Sequence, residues 1–232
     1  MPQICEVAVR RVLIILTLAV GLLTIAGVIA VLWNQVRIDD PLIAEARESL
    51  VRLFRLDGEA NVPTWFSSSL LLASAALLGW IAANRSRAEA PFSRHWWVLA
   101  FLFLCMSLDE TAQIHEMSVR PSRHLLELGG ALHFTWVVPA GVLVLVFFVA
   151  FLRFLRNLPA ETRRLFLLSG TLFVAGALGM ESVSALYWTR LGESVAYGLA
   201  TTTEEFLEMA GIVVFLKALM EFPAASGIAP PA

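Results

Sequence analysis

Residues 12–33 read VLIILTLAVGLLTIAGVIAVLW, a run without a single charged side chain. A helix needs about 20 apolar residues to cross a hydrocarbon core of about 30 Å, so this run is long enough to span a bilayer. Arg10 and Arg11 precede it as the charged region of a secretory signal would, but its apolar length exceeds the usual signal core of about 7 to 15 residues. We therefore interpret it as a retained transmembrane anchor.

Five further apolar stretches follow along the chain. Together with the first they predict six transmembrane helices, at residues 12–33, 65–83, 96–117, 134–152, 165–188 and 201–221. Of the 232 residues, 58% are hydrophobic and 16% are charged, against about 25% charged in an ordinary soluble domain. We expect an all-α polytopic membrane bundle of six helices that forms one domain over residues 1–222, with a disordered tail at 223–232 rich in Pro, Ala and Gly.

The distribution of arginine predicts how the bundle is oriented. Basic residues crowd the second and fourth connections, at Arg85, Arg87, Arg94, Arg153, Arg156, Arg163 and Arg164. Because positive residues favour the cytoplasmic side, both termini are predicted to be cytoplasmic. The first connection then lies outside, where the apolar spacing of residues 41–56 predicts an amphipathic helix in the membrane interface.

Composition excludes several classes of function. The net charge of -2 gives no basic excess for nucleic acid. Cys5 and Cys105 are the only cysteines, which excludes a disulfide framework and a Cys-rich metal site. No GxSxG or SxxK pattern indicates a nucleophilic enzyme. The protein is expected to contact the lipid bilayer. If it is an accessory subunit of a larger complex, it is also expected to contact other membrane subunits.

Ionisable residues inside the predicted spans are the candidate functional residues, because a charge at mid-bilayer costs about 2.5 to 3.5 kcal/mol on insertion scales. With a rise of about 1.5 Å per residue, the predicted orientation places them all in the outer half of the membrane. They are Asp109, Glu110, His115, Glu116, Glu181, Glu204, Glu205 and Glu208, with His133 at the start of the fourth span.

Helical phase groups these residues into two polar stripes. Steps of about 100° place Asp109 near Gln113 and Glu116 on one helix, and Glu205 near Glu208 on another. If the stripes face each other, several carboxylates share a small volume and cannot all be ionised without a counter-charge. Shared protons, arginines from the outer loops or bound cations would each neutralise the excess negative charge of the carboxylates.

Carboxylates with one or two histidines suit Fe, Mn or Zn. In a metal site the ligands would be Asp109, His115, His133, Glu181, Glu205 and Glu208, with Glu110 or Glu116 as a base. The Glu-x-x-His spacing of di-iron bundles is absent, since Glu110 and His115 are five residues apart.

Purely structural interpretations compete for some of these residues. Glu204 follows Thr201 by three residues, as in a capping box at a helix start. Glu116 precedes Arg120 by one helical turn, as in a surface ion pair. His133 and His115 also suit histidines that bond backbone or water at the interface. Asp109, Glu181 and Glu208 have no cation within one turn, and a structural role explains them least well.

Three motifs carry a resemblance to a known family. LDGEANVPTWFSS, FLCMSLDETAQIHE and TTTEEFLEMAG are similar to recurring motifs of an uncharacterised family of bacterial multi-pass membrane proteins, and the likeness runs over most of residues 54–216. The resemblance implies a bacterial inner membrane and carries over no activity.

Three hypotheses for function follow. The first is a metal-binding protein or metal-dependent enzyme whose site opens to the periplasm. The second is proton- or cation-coupled transport, against which stands the lack of acidic residues in the inner half of the spans before Glu221. The third is an accessory or scaffold subunit of a larger membrane complex, in which the carboxylates form a structural network.

Overall fold

The computed structural model describes residues 2–56, 58, 60–114, 130–133 and 135–226. Within these ranges the chain is helical and contains no strand, which confirms the all-α class. A π-helical segment, Ala175–Met180, joins the helices Ala160–Val174 and Glu181–Leu191. The α-helices are α1 Pro2–Asn34, α2 Pro41–Phe54, α3 Val62–Arg87, α4 Ser93–Ala112, α5 Val137–Asn157, α6 Ala160–Val174, α7 Glu181–Leu191 and α8 Val195–Ser226.

Four stretches of the described chain are long and apolar enough to cross a membrane. They are Glu6–Asn34, Val62–Arg87, Val137–Asn157 and Ala160–Leu191. The prediction of six spans is therefore not supported. The predicted third and sixth spans do coincide with α4 and α8, but carboxylates interrupt the apolar run of each helix. A membrane protein with four candidate spans is what the described helices support.

The helices that carry the acidic residues have different ends from those predicted. α4 stops at Ala112 because Gln113 adopts a left-handed conformation, with a φ of 58°, and its N–H bonds Asp109 O. The regular helix that carries Asp109 therefore ends at Ala112, and the predicted site residues His115 and Glu116 lie outside the described residues. α8 starts at Val195 instead of 201 and continues to Ser226, so residues 223–226 are helical where a disordered tail was predicted.

α8 is the central helix of the bundle. It packs against α1, α3, α6, α7 and the π segment, and Met209, Ile212 and Leu219 on it are buried. α5 instead exposes a long apolar face that includes Leu143 and Leu145, as expected for a helix that contacts lipid. Of the acidic residues that α8 carries, Glu204, Glu205 and Glu208 are half-buried.

Glycines allow α8 to approach its neighbours closely. A Cβ on Gly211 would lie 2.9 Å from the backbone N of Phe173 and 3.0 Å from the backbone O of Ser169, so a side chain there would push α6 away. Gly176 in the π segment makes a similar approach to α8. Gly170 has no atom within 4 Å of its would-be Cβ, so small residues mark a helix contact at some positions and not at others.

One end of the bundle is filled by aromatic rings. These rings form the aromatic core, which lies where α3 ends and α4 begins. Ring centroids are 5.1 Å apart for Trp96 and Phe154, 4.6 Å for Trp96 and Phe222, and 4.7 Å for Phe166 and Phe215. Trp96 and Phe154 are each 1% exposed, so this end is closely packed.

The amphipathic helix predicted at 41–56 forms as α2, Pro41–Phe54. Asp40 caps it by accepting hydrogen bonds from the backbone N–H groups of Leu42 and Ile43. Its place on the outer face of the membrane stays a prediction.

Candidate functional site

A cavity of about 380 Å³ lies at the end of the bundle opposite the aromatic core. α4, α7 and α8 contribute its polar wall, and the linker between α2 and α3 contributes to another side. The described residues that line it include no Lys, Arg or His. Its carboxyl groups are those of Asp109, Glu110, Glu181, Glu204, Glu205 and Glu208.

Three helices position these carboxyl groups. Asp109 and Glu110 stand in the last turn of α4, just before the left-handed Gln113 ends the helix. Glu181 is the first residue of α7, directly after the π segment. π segments inside α-helices are rare and occur frequently at functional sites. On α8, Glu204 and Glu208 are four residues apart and therefore share a face.

Hydrogen bonds hold two of the carboxylates. Trp136 Nε1 donates to Glu181 Oε1 at 3.0 Å, and Ser184 Oγ lies 3.3 Å from Glu204 Oε2 as a donor. Glu181 is therefore tied to Trp136 at the start of α5, and α7 is tied to α8 through Ser184 and Glu204.

Gly176 lets α8 lie directly against the π segment. A Cβ at this position would be 2.8 Å from the backbone O of Glu204 and 2.9 Å from Glu208 Cγ. Since a real Cβ almost never comes within 3.0 Å of such atoms, one of the two helices would have to move. The absence of a side chain at Gly176 therefore sets where Glu204 and Glu208 stand.

The α2–α3 linker is held in place by one buried amide. Asn61 Nδ2 donates to the backbone O of Arg55 and of Gly58, each at 2.7 Å, and Asn61 Oδ1 accepts from the N–H of Thr64 at 3.0 Å. Asn61 is thus the N-cap of α3. Gly58 and Thr64 line the cavity, so this network shapes one of its walls.

An ion pair ties the same linker to the connection between α7 and α8. Arg55 Nη1 lies 2.6 Å from Glu193 Oε1. Leu56 follows Arg55 in the linker and Tyr197 follows Glu193 in α8, and both line the cavity. The pair therefore joins two opposite parts of the cavity rim.

The structure brings together five of the predicted site residues, Asp109, Glu110, Glu181, Glu205 and Glu208. His133 is described but is not among the residues that line the cavity, and its N–H bonds the backbone O of Gly130. His115 and Glu116, as noted, lie outside the described residues.

Glu204 is a lining residue that sequence reasoning assigned to a capping box. That assignment is wrong, because α8 begins at Val195 and Thr201 is inside the helix, where its hydroxyl donates to the backbone O of Gly198. The four-residue spacing between Glu204 and Glu208 was the signal that pointed to a shared face.

The carboxyl groups surround the cavity without converging on one point. Among the described residues, no three His, Cys, Asp or Glu side chains come close enough together to hold a metal ion. Direct coordination of Fe, Mn or Zn by several protein ligands stays a prediction, since one predicted ligand, His115, lies outside those residues. The described part of the cavity fits a cation that keeps its own water or carries its own hydrogen-bond donors.

Fold and site together define a helical membrane protein with an acidic cavity at one end of its bundle. The chain belongs to a family described as a domain of unknown function (DUF8692), whose model matches residues 13–222. This agrees with the uncharacterised family that the three motifs resemble. No curated protein and no solved structure matches the chain.

Proposed function

We propose that this protein binds a divalent cation in its acidic cavity, from the periplasmic side of a bacterial inner membrane. The observation that carries the proposal is the presence of six carboxyl groups around a cavity whose described lining has no basic side chain. A volume of about 380 Å³ is also within the range of small-ligand sites.

Electrostatics favours a cation as the partner of these groups. Glu110, Glu181 and Glu208 line the same cavity. Like charges in one low-dielectric cavity repel each other and lose hydration, and a bound cation reduces both costs. Protonation of some of the carboxyl groups also reduces both costs.

The kind of cation follows from the ligand atoms. Oxygen-only surroundings suit Mg²⁺, Ca²⁺ or Mn²⁺ better than softer metals. Mg²⁺ commonly keeps several waters and contacts one or two carboxylates, which needs no cluster of three protein ligands. Of the metals that the sequence suggests, Mn²⁺ is therefore the one that this cavity favours.

The test is a titration of the protein, purified in mild detergent without a chelator or His-tag, with Mn²⁺ and Mg²⁺ by calorimetry. Glu208→Gln and Glu181→Gln remove cavity charges at nearly constant shape, and each is expected to weaken binding about tenfold or more, which is about 1.4 kcal/mol. Glu161→Gln, at an exposed position in the first turn of α6, is the matched control and is expected to bind as the parent does.

Absence of divalent binding by the parent protein would overturn the proposal. Unchanged affinity in both cavity variants, with a helical spectrum and a single elution peak as proof of folding, would place the cation elsewhere and overturn it equally.

An organic ammonium ion is the second candidate. Trp136 and Tyr197 also line the cavity, and aromatic faces beside carboxylates recognise ammonium groups. Competition between 1,4-diaminobutane and Mn²⁺ in the same titration separates the two ligands, because an ammonium site binds the diamine more tightly than the metal.

Cation-coupled transport and an accessory role stay hypotheses for the same cavity. Proteoliposomes with a Mn²⁺ gradient distinguish them from simple binding. Uptake that Glu208→Gln abolishes would indicate transport, whereas binding without uptake would favour a binding or accessory protein.

A further inference from the structure

The end of the bundle that contains the aromatic core has a cavity of its own, of about 160 Å³. It lies where α3 ends, α4 begins and α5 turns towards α6, beside Phe222 of α8. Phe92, Trp96 and Phe154 give it aromatic walls, and Asn157 adds an amide. The proposed cation site makes no use of this cavity.

Arg85 is the charged residue among the described lining of this second cavity. Its Nη2 donates to the backbone O of Pro91 at 3.1 Å, and its guanidinium carbon lies 5.8 Å from the centre of the Phe222 ring. These contacts hold the side chain in one position. The guanidinium is thus pre-organised at the cavity before any ligand arrives.

One donor of this guanidinium has no partner. Arg85 Nε is buried and makes no hydrogen bond, and no ion pair joins Arg85 to an acidic side chain among the described residues. A buried donor without a partner costs about 1–3 kcal/mol, and more when the group is charged. No described carboxylate neutralises the charge that Arg85 brings to the cavity lining, and an anion in the cavity would do so.

The surroundings add positive charge. Beyond Arg85, the ends of α3, α4, α5 and α6 at this side of the bundle carry the arginines that predict a cytoplasmic location, namely Arg87, Arg94, Arg153, Arg156, Arg163 and Arg164. Basic pockets between membrane helices on the cytoplasmic side bind anionic lipid headgroups. Arginine also matches phosphate with two parallel N–H donors.

We propose that this cavity binds the phosphate of an anionic phospholipid headgroup, with Arg85 as the residue that contacts it. The half-buried ring of Phe92 gives the cavity an apolar side for the glycerol and the first carbons of the lipid, which a free phosphate does not possess. The charged rim attracts the anionic headgroup, and the guanidinium of Arg85 in the lining gives the phosphate its fixed place.

The experiment uses the whole protein in mild detergent, with added phosphatidylglycerol, phosphatidylcholine or inorganic phosphate. Native mass spectrometry counts retained lipid, and the thermal midpoint reports protection. We expect phosphatidylglycerol to bind and to raise the midpoint more than the other two probes. Arg85→Gln is expected to weaken that binding about tenfold, a loss of one charged hydrogen-bonding group.

Two variants keep the result interpretable. Arg190→Gln removes an exposed arginine from the last turn of α7, away from the basic rim of this cavity, and is expected to bind lipid as the parent does. Arg85→Lys keeps the charge without the planar fork and is expected to bind less tightly than the parent but more tightly than Arg85→Gln. It also serves if Arg85→Gln does not fold.

Equal lipid retention by the parent and by Arg85→Gln, or by the parent and Arg85→Lys where the first variant is unfolded, would overturn the proposal. Protection by inorganic phosphate that equals protection by phosphatidylglycerol would assign the cavity to a soluble phosphate and overturn the lipid assignment.

Discussion

The two ends of the bundle are built from the same helices yet hold opposite chemistry. α4 has Trp96 near one end and Asp109 near the other, and α8 has Phe222 near one end and Glu208 further back. Aromatic rings nearly fill the first end, whereas a cavity of about 380 Å³ with six carboxyl groups occupies the second. From this comparison we expect the closely packed aromatic end to supply stability that lets the acidic end keep groups that repel each other.

The largest expected effect tests whether the aromatic core carries that stability. Phe154 is 1% exposed and contacts Trp96 and Phe166, so Phe154→Ala is expected to lower the free energy of unfolding by about 3–5 kcal/mol. Denaturant unfolding in mild detergent, followed by circular dichroism, measures the loss. Phe148→Ala on the same helix removes a ring that is 45% exposed, and a loss as large as that of Phe154→Ala would contradict this interpretation.

The next effect concerns the acidic end, where Gly176 touches α8. Gly176→Ala is expected to cost about 1–3 kcal/mol of unfolding free energy and to weaken cation binding, because the new Cβ displaces the turn that carries Glu204 and Glu208. The same unfolding and titration measurements check both effects. Gly170→Ala has open space and gains about 0.5–1 kcal/mol of helix preference, so a loss there too would refute the contact argument.

A smaller effect is expected from the linker that lines the acidic cavity. Asn61→Ala removes the cap of α3 and is expected to cost about 0.5–2 kcal/mol. Asn61→Asp keeps the oxygen that caps Thr64 but loses the donors to Arg55 O and Gly58 O. Unfolding curves for both variants separate the two roles, and identical curves for Asn61→Asp and the parent would show that the donors contribute nothing.

The smallest effect belongs to the ion pair at the cavity rim. Arg55 and Glu193 have side chains that are 24% and 54% exposed, so solvent screens their attraction. A double-mutant cycle with Arg55→Gln and Glu193→Gln is expected to give a coupling of about 0.2–1 kcal/mol. A coupling well above that range would mean that the pair is shielded from water and that the rim is more rigid than its exposure indicates.

Much of the fold could be predicted from the sequence because most of its helices correspond to long runs of apolar residues. Each of the six predicted segments overlaps described helix, with 165–188 divided by the π segment and 96–117 running past the end of α4. Apolar length supports membrane crossing for four described stretches. The ends of the helices were harder to predict, since they depend on individual capping residues. Gln113 ends α4 by adopting a left-handed conformation, and Asn61 starts α3 through its side chain.

The candidate site was predicted in part for a similar reason. Asp109, Glu181 and Glu208 stood out because carboxylates within apolar runs are costly, and all three line the cavity. Glu204 was assigned to a helix cap because the start of α8 was placed too late. His133 was included on its position near a helix start, and the described cavity lining does not contain it.

By itself, the sequence determined the all-α class, the membrane character and the set of carboxylates that apolar surroundings penalise. Residue spacing sets which side chains share a face of one helix, but not how that helix is rotated against its neighbours. Packing decides the rotation, here through the close approach of Gly176 and Gly211 to the helices opposite them. Only the tertiary structure therefore decided that the carboxylates of α4, α7 and α8 surround one cavity, and that Arg85 faces another at the opposite end.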